Sequence, residues 1–403
     1  MQREKNLKTS IYLDHAATTG LHPKALEAML PYLEGGFGNP SGAYALGRQA
    51  ARALDEARSA VAATLGCRPQ EVVFTGPGTE SINAAVKGVA FAQQMAGLGN
   101  HIVTSTIEHH AVLHSCEYLE KFGFQITYVP VDRYGLVDPA DVARAMNERT
   151  VLVSVMLANN EIGTIEPIAE IAQAVRQRAR TMRRRVAIHT DAVQSANALD
   201  LNVERLGVDL LSLSAHKFCG PKGTGVLFMK RGTPFLPQLS GGGQERERRA
   251  GTENVAGVVA AAVALKEAQQ QRQSYVETCR HLTDRLVEGV LKAIPAATLN
   301  GHPQRRLPNN AHFGFEGAES DTIIAALDKL GVAASAGSAC NSATLEPSHV
   351  LNAIGLPLSQ AIGALRLTVG PENTDDEIDY VLSVLPRVVA ESRANTRTGL
   401  SSK

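Results

Sequence analysis

VDLLSLSAHKFCGPKGTGVLFMK, residues 208–230, sets two apolar runs on either side of a glycine-rich turn. VDLLSLSA and GVLFMK read as strands, because each is short, rich in Val, Leu and Phe, and bounded by turn-forming residues. Near-continuous apolar runs of this kind suit strands buried on both faces. The same texture recurs in EVVFTG (71–76), HIVTSTI (101–107), QITYVPV (125–131), TVLVSVML (150–157) and VAIHTDA (186–192). Helical patterns fall between several of them, as in SINAAVKGVAFAQQMA (81–96) and PADVARAMNE (139–148). Strands alternating with helices predict an α/β fold, a mostly parallel seven-stranded sheet covered by helices.

Past SGGGQERERRAGTEN (240–254) the texture changes. A helical region over 255–293 is followed by a strand at NNAHFGF (309–315), a helix at DTIIAALDKLG (321–331) and a closing helix over 374–393. This predicts a large α/β domain over 17–265 and a smaller α+β domain made of 1–16 and 266–403. The final RANTRTGLSSK is expected to be disordered.

Bulk properties narrow the function classes. The 403 residues are 44% apolar and carry 40 basic and 40 acidic side chains, so no global field draws nucleic acid or an anionic membrane. The run RQRARTMRRR (176–185) is basic, but without interleaved aromatics it reads as a solvated helix end. The longest apolar stretch, VAGVVAAAVAL (255–265), falls short of the ~20 residues of a membrane helix. The opening MQREKNLKTSIYLD lacks the apolar run of a signal peptide. Five cysteines with no CxxC pair point to reduced thiols and a cytoplasmic protein.

In α/β sheets ligands gather at the carboxyl ends of strands, so the residues that follow each strand carry the chemistry. EVVFTG leads into GPGTES, where Gly78, Thr79 and Ser81 open a helix; this is either a phosphate cradle or an ordinary capped turn. HIVTSTI leads into EHHAVLH. There His109 lies closest to the strand end, while His110 and His114 have a spacing that could hold a metal, although no third ligand is evident, and no metal site is expected. TVLVSVML leads to Asn159, Asn160 and Glu161. VAIHTDA ends at Asp191, with Gln194 beyond it; the acid either caps the next turn or holds a protonated ring nitrogen. VDLLSLSA leads to Ser214, His216 and Lys217. A single lysine is usually a surface residue, yet one desolvated between an apolar strand and small residues becomes a nucleophilic amine. Together a phosphate cradle, an imidazole, an amide, an acid and a lysine fit pyridoxal 5′-phosphate, and the set is far more specific than its members.

The chain resembles the cysteine desulfurases, the NifS/IscS branch of the class V, fold-type I pyridoxal-phosphate enzymes. The motifs that carry this are YLDHAATT, FGNPSG, GTES, EHHAVL, NNEIG, HTDAVQS, SAHKFCGPKGTG, GGGQERERRAGTEN, SAGSACNSATLEPSHVL and LRLTVG, in order from residue 12 to about 380. The resemblance implies that Lys217 carries the cofactor, Asp191 pairs with its ring nitrogen and Gln194 bonds its phenolic oxygen. His109 would stack on the ring and shuttle protons. Gly78, Thr79, Ser214 and His216 would hold the phosphate, with Asn160 beside the cofactor. Thr252 would reach the phosphate of a neighbouring subunit, hence a homodimer. Arg366 would clamp the substrate carboxylate, assisted by Asn160 and Asn39. Cys340, in the small-residue stretch AASAGSACNSAT (333–344), would take sulfur from L-cysteine as a persulfide, leaving alanine, on a mobile loop over about 333–345. An iron–sulfur scaffold or another sulfur acceptor would then receive it.

Two alternatives bear on this reading. A selenocysteine lyase or a related pyridoxal-phosphate enzyme shares the fold; an aminotransferase has no use for a mobile thiol. A non-catalytic scaffold or sulfur carrier would be marked by loss of Lys217 or Asp191, and both stand in the sequence.

Overall fold

The structure is a computed structural model that describes residues 11–337 and 348–400. Its strands are β1 (Ile11–Tyr12), β2 (Val72–Thr75), β3 (His101–Ser105), β4 (Gln125–Val129), β5 (Thr150–Ser154), β6 (Ala187–Asp191), β7 (Leu210–Ser214), β8 (Gly225–Met229), β9 (Ala297–Asn300), β10 (Asn310–Phe315), β11 (Val332–Ala333) and β12 (Ala364–Thr368). Seven of them form one sheet in the order β2-β8-β7-β6-β5-β3-β4. The pairs among β3 to β7 are parallel, whereas β8 runs antiparallel to both β7 and β2. Only residues 215–224 connect β7 to β8, too few for a crossover helix, so the chain must reverse.

Neighbouring residues of each central strand feed opposite cores. Ile102, Leu152, Ala187, Leu210 and Leu227 pack under the helices Gly78–Met95 and His110–Glu120. Val103, Val153, Ile188, Leu211 and Val226 pack under the helices Ala45–Leu65, Ile168–Thr181 and Val255–Gln270. This period-two split is why the strands read as continuous apolar runs. From β3 the chain steps outward to β4, then back across to β5 and on to β6 and β7. The reversal between β3 and β5 is the topological switch point of an open α/β sheet, where a crevice forms.

A second core lies under the antiparallel sheet β9-β10-β12, covered by the helices Arg272–Ala293, Ser320–Lys329 and Asp375–Leu400. On β12, Leu365 and Leu367 enter this core, and strand alternation turns Arg366 to the opposite face. β1 pairs with β11, and Leu13 packs in the same core.

Two expectations need adjustment. The helical region over 255–293 breaks at Gln271 (φ −92°, ψ 4°), because its first half packs in one core and its second half in the other. The Gln269 amide ties the break in place by donating to the Ala196 and Leu199 carbonyls. The terminal segment expected to be disordered is helical as far as Leu400. Arg393 anchors it by donating to the Glu316 and Pro295 carbonyls at 2.9 and 2.8 Å.

The glycine- and arginine-rich stretch after 240 is held at the sheet edge by an internal ion pair. The Arg58 guanidinium meets both Glu245 oxygens at 2.7 Å, and the Phe74 N–H donates to the same carboxylate at 2.9 Å. Both side chains are buried, so removing one partner strands the other charge. Glu245→Ala is therefore expected to lower the unfolding free energy by ~3–5 kcal/mol. Chemical denaturation would measure it, and a loss under ~1 kcal/mol would mean that water reaches the pair.

Candidate active site

Residues at or just past the ends of β3, β5, β6 and β7 wall one cavity of about 370 Å³, a size common for small-molecule sites. Arg366 and Gly337 reach it from the side of the smaller sheet. Lys217 closes a 3₁₀ turn that follows β7 directly. Its Nζ donates to the carbonyls of Ala16 and Ala17 at 2.5 and 2.7 Å. The Gln194 side-chain amide donates to the Ala16 carbonyl as well, at 2.9 Å. The segment that supplies these carbonyls is stitched to the same turn, with the Thr19 N–H and hydroxyl both reaching the His216 carbonyl. Lys217 thus has a fixed place inside the protein.

Asp191 is the last residue of β6 and is buried. Burial pushes its carboxyl up to about 6, against the pull of the Val193 N–H and the Lys217 charge. A buried acid at that level calls for a cationic partner in the cavity. His109 caps the helix His110–Glu120, its Nδ1 accepting the Ala111 N–H at 3.1 Å. The neutral ring must then carry its proton on Nε2. Burial, with Lys217 next, lowers its pKa to about 4, so the ring is uncharged at neutral pH.

Gly78 and Thr79 line the cavity at the start of the helix Gly78–Met95. The Gly78 N–H donates to the Ser214 hydroxyl at 3.2 Å. A Cβ at Gly78 would sit 2.9 Å from both the Ser214 Cβ and the Val193 Cγ2, so only glycine permits this approach. Ser81, the other hydroxyl of the expected cradle, is buried against Thr75 at 2.5 Å and does not line the cavity. His216 lines it, with Nδ1 3.1 Å from the Thr18 hydroxyl and burial holding its pKa near 4.

Arg366 is 2% exposed. Its Nη1 donates to the Asn160 and Gly337 carbonyls at 2.7 and 3.1 Å, and its Nη2 to Asp14 Oδ1 at 2.8 Å. Among the described residues its Nε is buried without a hydrogen-bond partner, so the guanidinium keeps a donor suited to a carboxylate.

Of the residues singled out in the sequence, Lys217, Asp191, Gln194, His109, Gly78, Thr79, Ser214, His216, Asn160 and Arg366 come together here. Asn39 does not: it is exposed, and its side-chain oxygen accepts the Ser41 N–H at 2.9 Å in a local turn. Thr252 is exposed and away from the cavity. Cys340 lies outside the described residues. The rings of His110 and His114 stand 4.9 Å apart, and among the described residues no group of three or more ligands joins them. Ala16, Ala17, Glu161 and His349 also line the cavity. The Ser348 hydroxyl donates to the buried Glu161 at 2.5 Å, and His349 Nε2 lies 2.9 Å from the Glu108 carbonyl. Glu161 stood at a strand end but was given no role, and nothing local marked His349, because the partners of both are distant in sequence.

The profile of the aminotransferase class-V family matches residues 11–381. The cysteine desulfurase IscS of Dictyoglomus turgidum is 47% identical over 387 residues, 96% of each chain. A solved NifS-like protein superposes with a TM-score of 0.88 at 35% identity, covering 94% of this chain and 99% of its own. A structure of SspA in complex with cysteine superposes with a TM-score of 0.77 at 33% identity, covering 91% of this chain and 100% of its own.

Proposed function

We propose, from the premise that this chain belongs to the class-V aminotransferase family and is a cysteine desulfurase, that the cavity holds pyridoxal 5′-phosphate and takes L-cysteine. The fold is fold-type I of the pyridoxal-phosphate enzymes, and the residues present fit the group. One observation carries the reading: the buried, raised Asp191, the anchored Lys217 and a guanidinium with an unmet donor share one cavity. Asp191 would face the ring nitrogen, and the helix start at Gly78 and Thr79, with Ser214 and His216, would hold the phosphate. When bound, the cofactor supplies an electron sink for the substrate's α-carbon.

The chain's own residues would do the rest. Arg366 orients the substrate through its carboxylate, with Asn160 fixed beside it. Lys217 moves the proton at the α-carbon. His109, neutral with its proton on Nε2, exchanges protons within the cavity without adding charge. The Cys340 thiolate attacks the substrate sulfur; the Cβ–S bond breaks, an S–S bond forms, and the carbon fragment takes up protons to leave as L-alanine. The persulfide then passes its outer sulfur to an acceptor, an iron–sulfur scaffold or another sulfur-receiving protein.

We also propose a homodimer. Exposed Leu33, Phe37 and Tyr44 in one segment and Leu236 and Leu239 in another support a covered surface, and exposed Thr252 is available to a neighbouring site. The division into 17–265 and 1–16 with 266–403 belongs to the same reading, as does a reducing cytoplasm, in keeping with the unbridged Cys67, Cys116, Cys219 and Cys279. No described helix is long and apolar enough to cross a membrane.

The test is a paired product assay. Wild type given L-cysteine and a thiol reductant is expected to release alanine and sulfide in equal amounts. Cys340→Ala should lose both by at least ~10²-fold while its cofactor absorbance persists. Full activity in Cys340→Ala would remove that thiol from the reaction, and turnover of L-selenocysteine alone would favour a lyase.

A further inference from the structure

The basic run over 176–185 has no part in the desulfurase site, yet the fold builds a second cavity around it. This cleft, of about 450 Å³, is walled by Arg176, Arg180, Arg184 and Arg185 together with Lys230 and Arg231 from the end of β8. Among the described residues Asp209 is the one carboxylate on its wall, and it is already engaged: Arg176 Nη2 binds it at 2.5 Å and the Ile188 N–H at 3.0 Å. Among the described residues, Arg180, Arg184, Arg185, Lys230 and Arg231 have no ion pair. In a chain with no net charge, this is a concentrated positive field inside a concave wall.

A helix end does not account for it. One or two cations within the last turn complement the helix dipole. Here the arginines run past the end, and Arg183 sits at φ +52° where glycine would be unstrained. The reversal is hydrogen-bonded, with the Arg183 N–H on the Arg180 carbonyl and the Arg184 N–H on the Ala179 carbonyl, so the backbone that carries the consecutive arginines is held in one geometry.

We propose that this cleft binds a compact polyanion carrying at least two phosphate groups. Guanidinium forks match phosphate oxygens in pairs, and each phosphate supplies about one to two charges in the space of one side chain. The volume is that of a small-molecule site, and among the described residues no aromatic ring lines the wall for bases to stack on, which disfavours single-stranded nucleic acid. The cleft lies where β6 begins and the desulfurase cavity where it ends, about 13 Å away along the sheet. The site is thus separate from the reacting groups.

Calorimetric titration of the holoenzyme with inorganic tripolyphosphate at about 50 mM salt tests the proposal. Saturable binding is expected, weakened at least ~10-fold by the exposed double change Arg184→Gln/Arg185→Gln and again by raising salt to about 300 mM. The control Arg52→Gln, on the helix Ala45–Leu65 and not on the cleft wall, should bind as wild type, and desulfurase turnover should be unchanged in every variant. Circular dichroism checks that the double variant is folded. No binding up to about 1 mM, or binding within about twofold in the folded double variant, would overturn the proposal. Tighter binding of an oligouridylate or an oligoglutamate peptide at the same arginines would also overturn it, in favour of a macromolecular partner.

Discussion

Lys217→Ala is expected to reduce desulfurase turnover by ~10³–10⁴-fold, about 4–5 kcal/mol of lost transition-state stabilisation. The residue has two duties in the proposed reaction, tethering the cofactor and moving the proton at the substrate's α-carbon, and among the described residues no other amine lines the cavity. Its surroundings make a neighbouring lysine an unsuitable replacement. Nζ is placed by the Ala16 and Ala17 carbonyls, and the turn is clamped by Thr19 and by the Asn197 amide, which donates to the Lys217 carbonyl at 2.8 Å. Misplacement by ~1 Å is enough to lose a proton transfer. The variant should fold, since Lys217 sits at a cavity wall, and it should lose the absorption band of lysine-bound cofactor. Turnover within tenfold of wild type would move the covalent role away from Lys217.

Asp191→Asn should have effects of opposite sign on activity and on stability. Losing a preorganised charge opposite the cofactor's ring nitrogen is expected to lower kcat by ~10²–10³-fold and to weaken cofactor retention. The cofactor-stripped protein should respond the other way. Burial raises the Asp191 carboxyl from 3.8 to about 6 in the folded state, so holding it ionised costs free energy. A raised folded pKa contributes stability that is complete below 3.8 and is lost as pH rises through 6. Two units correspond to about 3 kcal/mol. Asparagine has the same shape and can still accept the Val193 N–H, but carries no charge to desolvate. Stripped Asp191→Asn is therefore expected to be ~1–3 kcal/mol more stable than stripped wild type at pH 8, with the gap closing by pH 4. Urea unfolding at the two pH values measures this. An equal gap at both would show that the carboxyl is solvated in the stripped protein.

How much of this was legible beforehand depended on the range of the interaction. Asp191 and Lys217 were accessible because each closes or follows an apolar strand, and in this fold class strand ends meet at one crevice. Ser81 looked equivalent to Thr79, being two residues along the same helix start. The 100° step between successive helical residues separates them, turning one hydroxyl to the cavity and the other to Thr75. Asn39 was drawn in by its motif, but its side chain closes a local turn, as asparagine commonly does. The terminal segment looked disordered from its composition, and Arg393 gained order only through the Glu316 and Pro295 carbonyls.

By itself the sequence determined the large sheet, its seven strands and the chemistry at their ends, because alternation along a strand and the residues just past it are local properties. It also carried the family motifs. The tertiary structure alone decided that β8 runs against β7, that two alanine carbonyls position Lys217 across about 200 residues, and that Arg366 joins Asp14 and Asn160 at the cavity. It alone gathered arginines from a helix end and basic residues from a strand end into a second cleft. Contacts of this kind depend on the path of the chain between distant segments, and side-chain periodicity holds no record of that path.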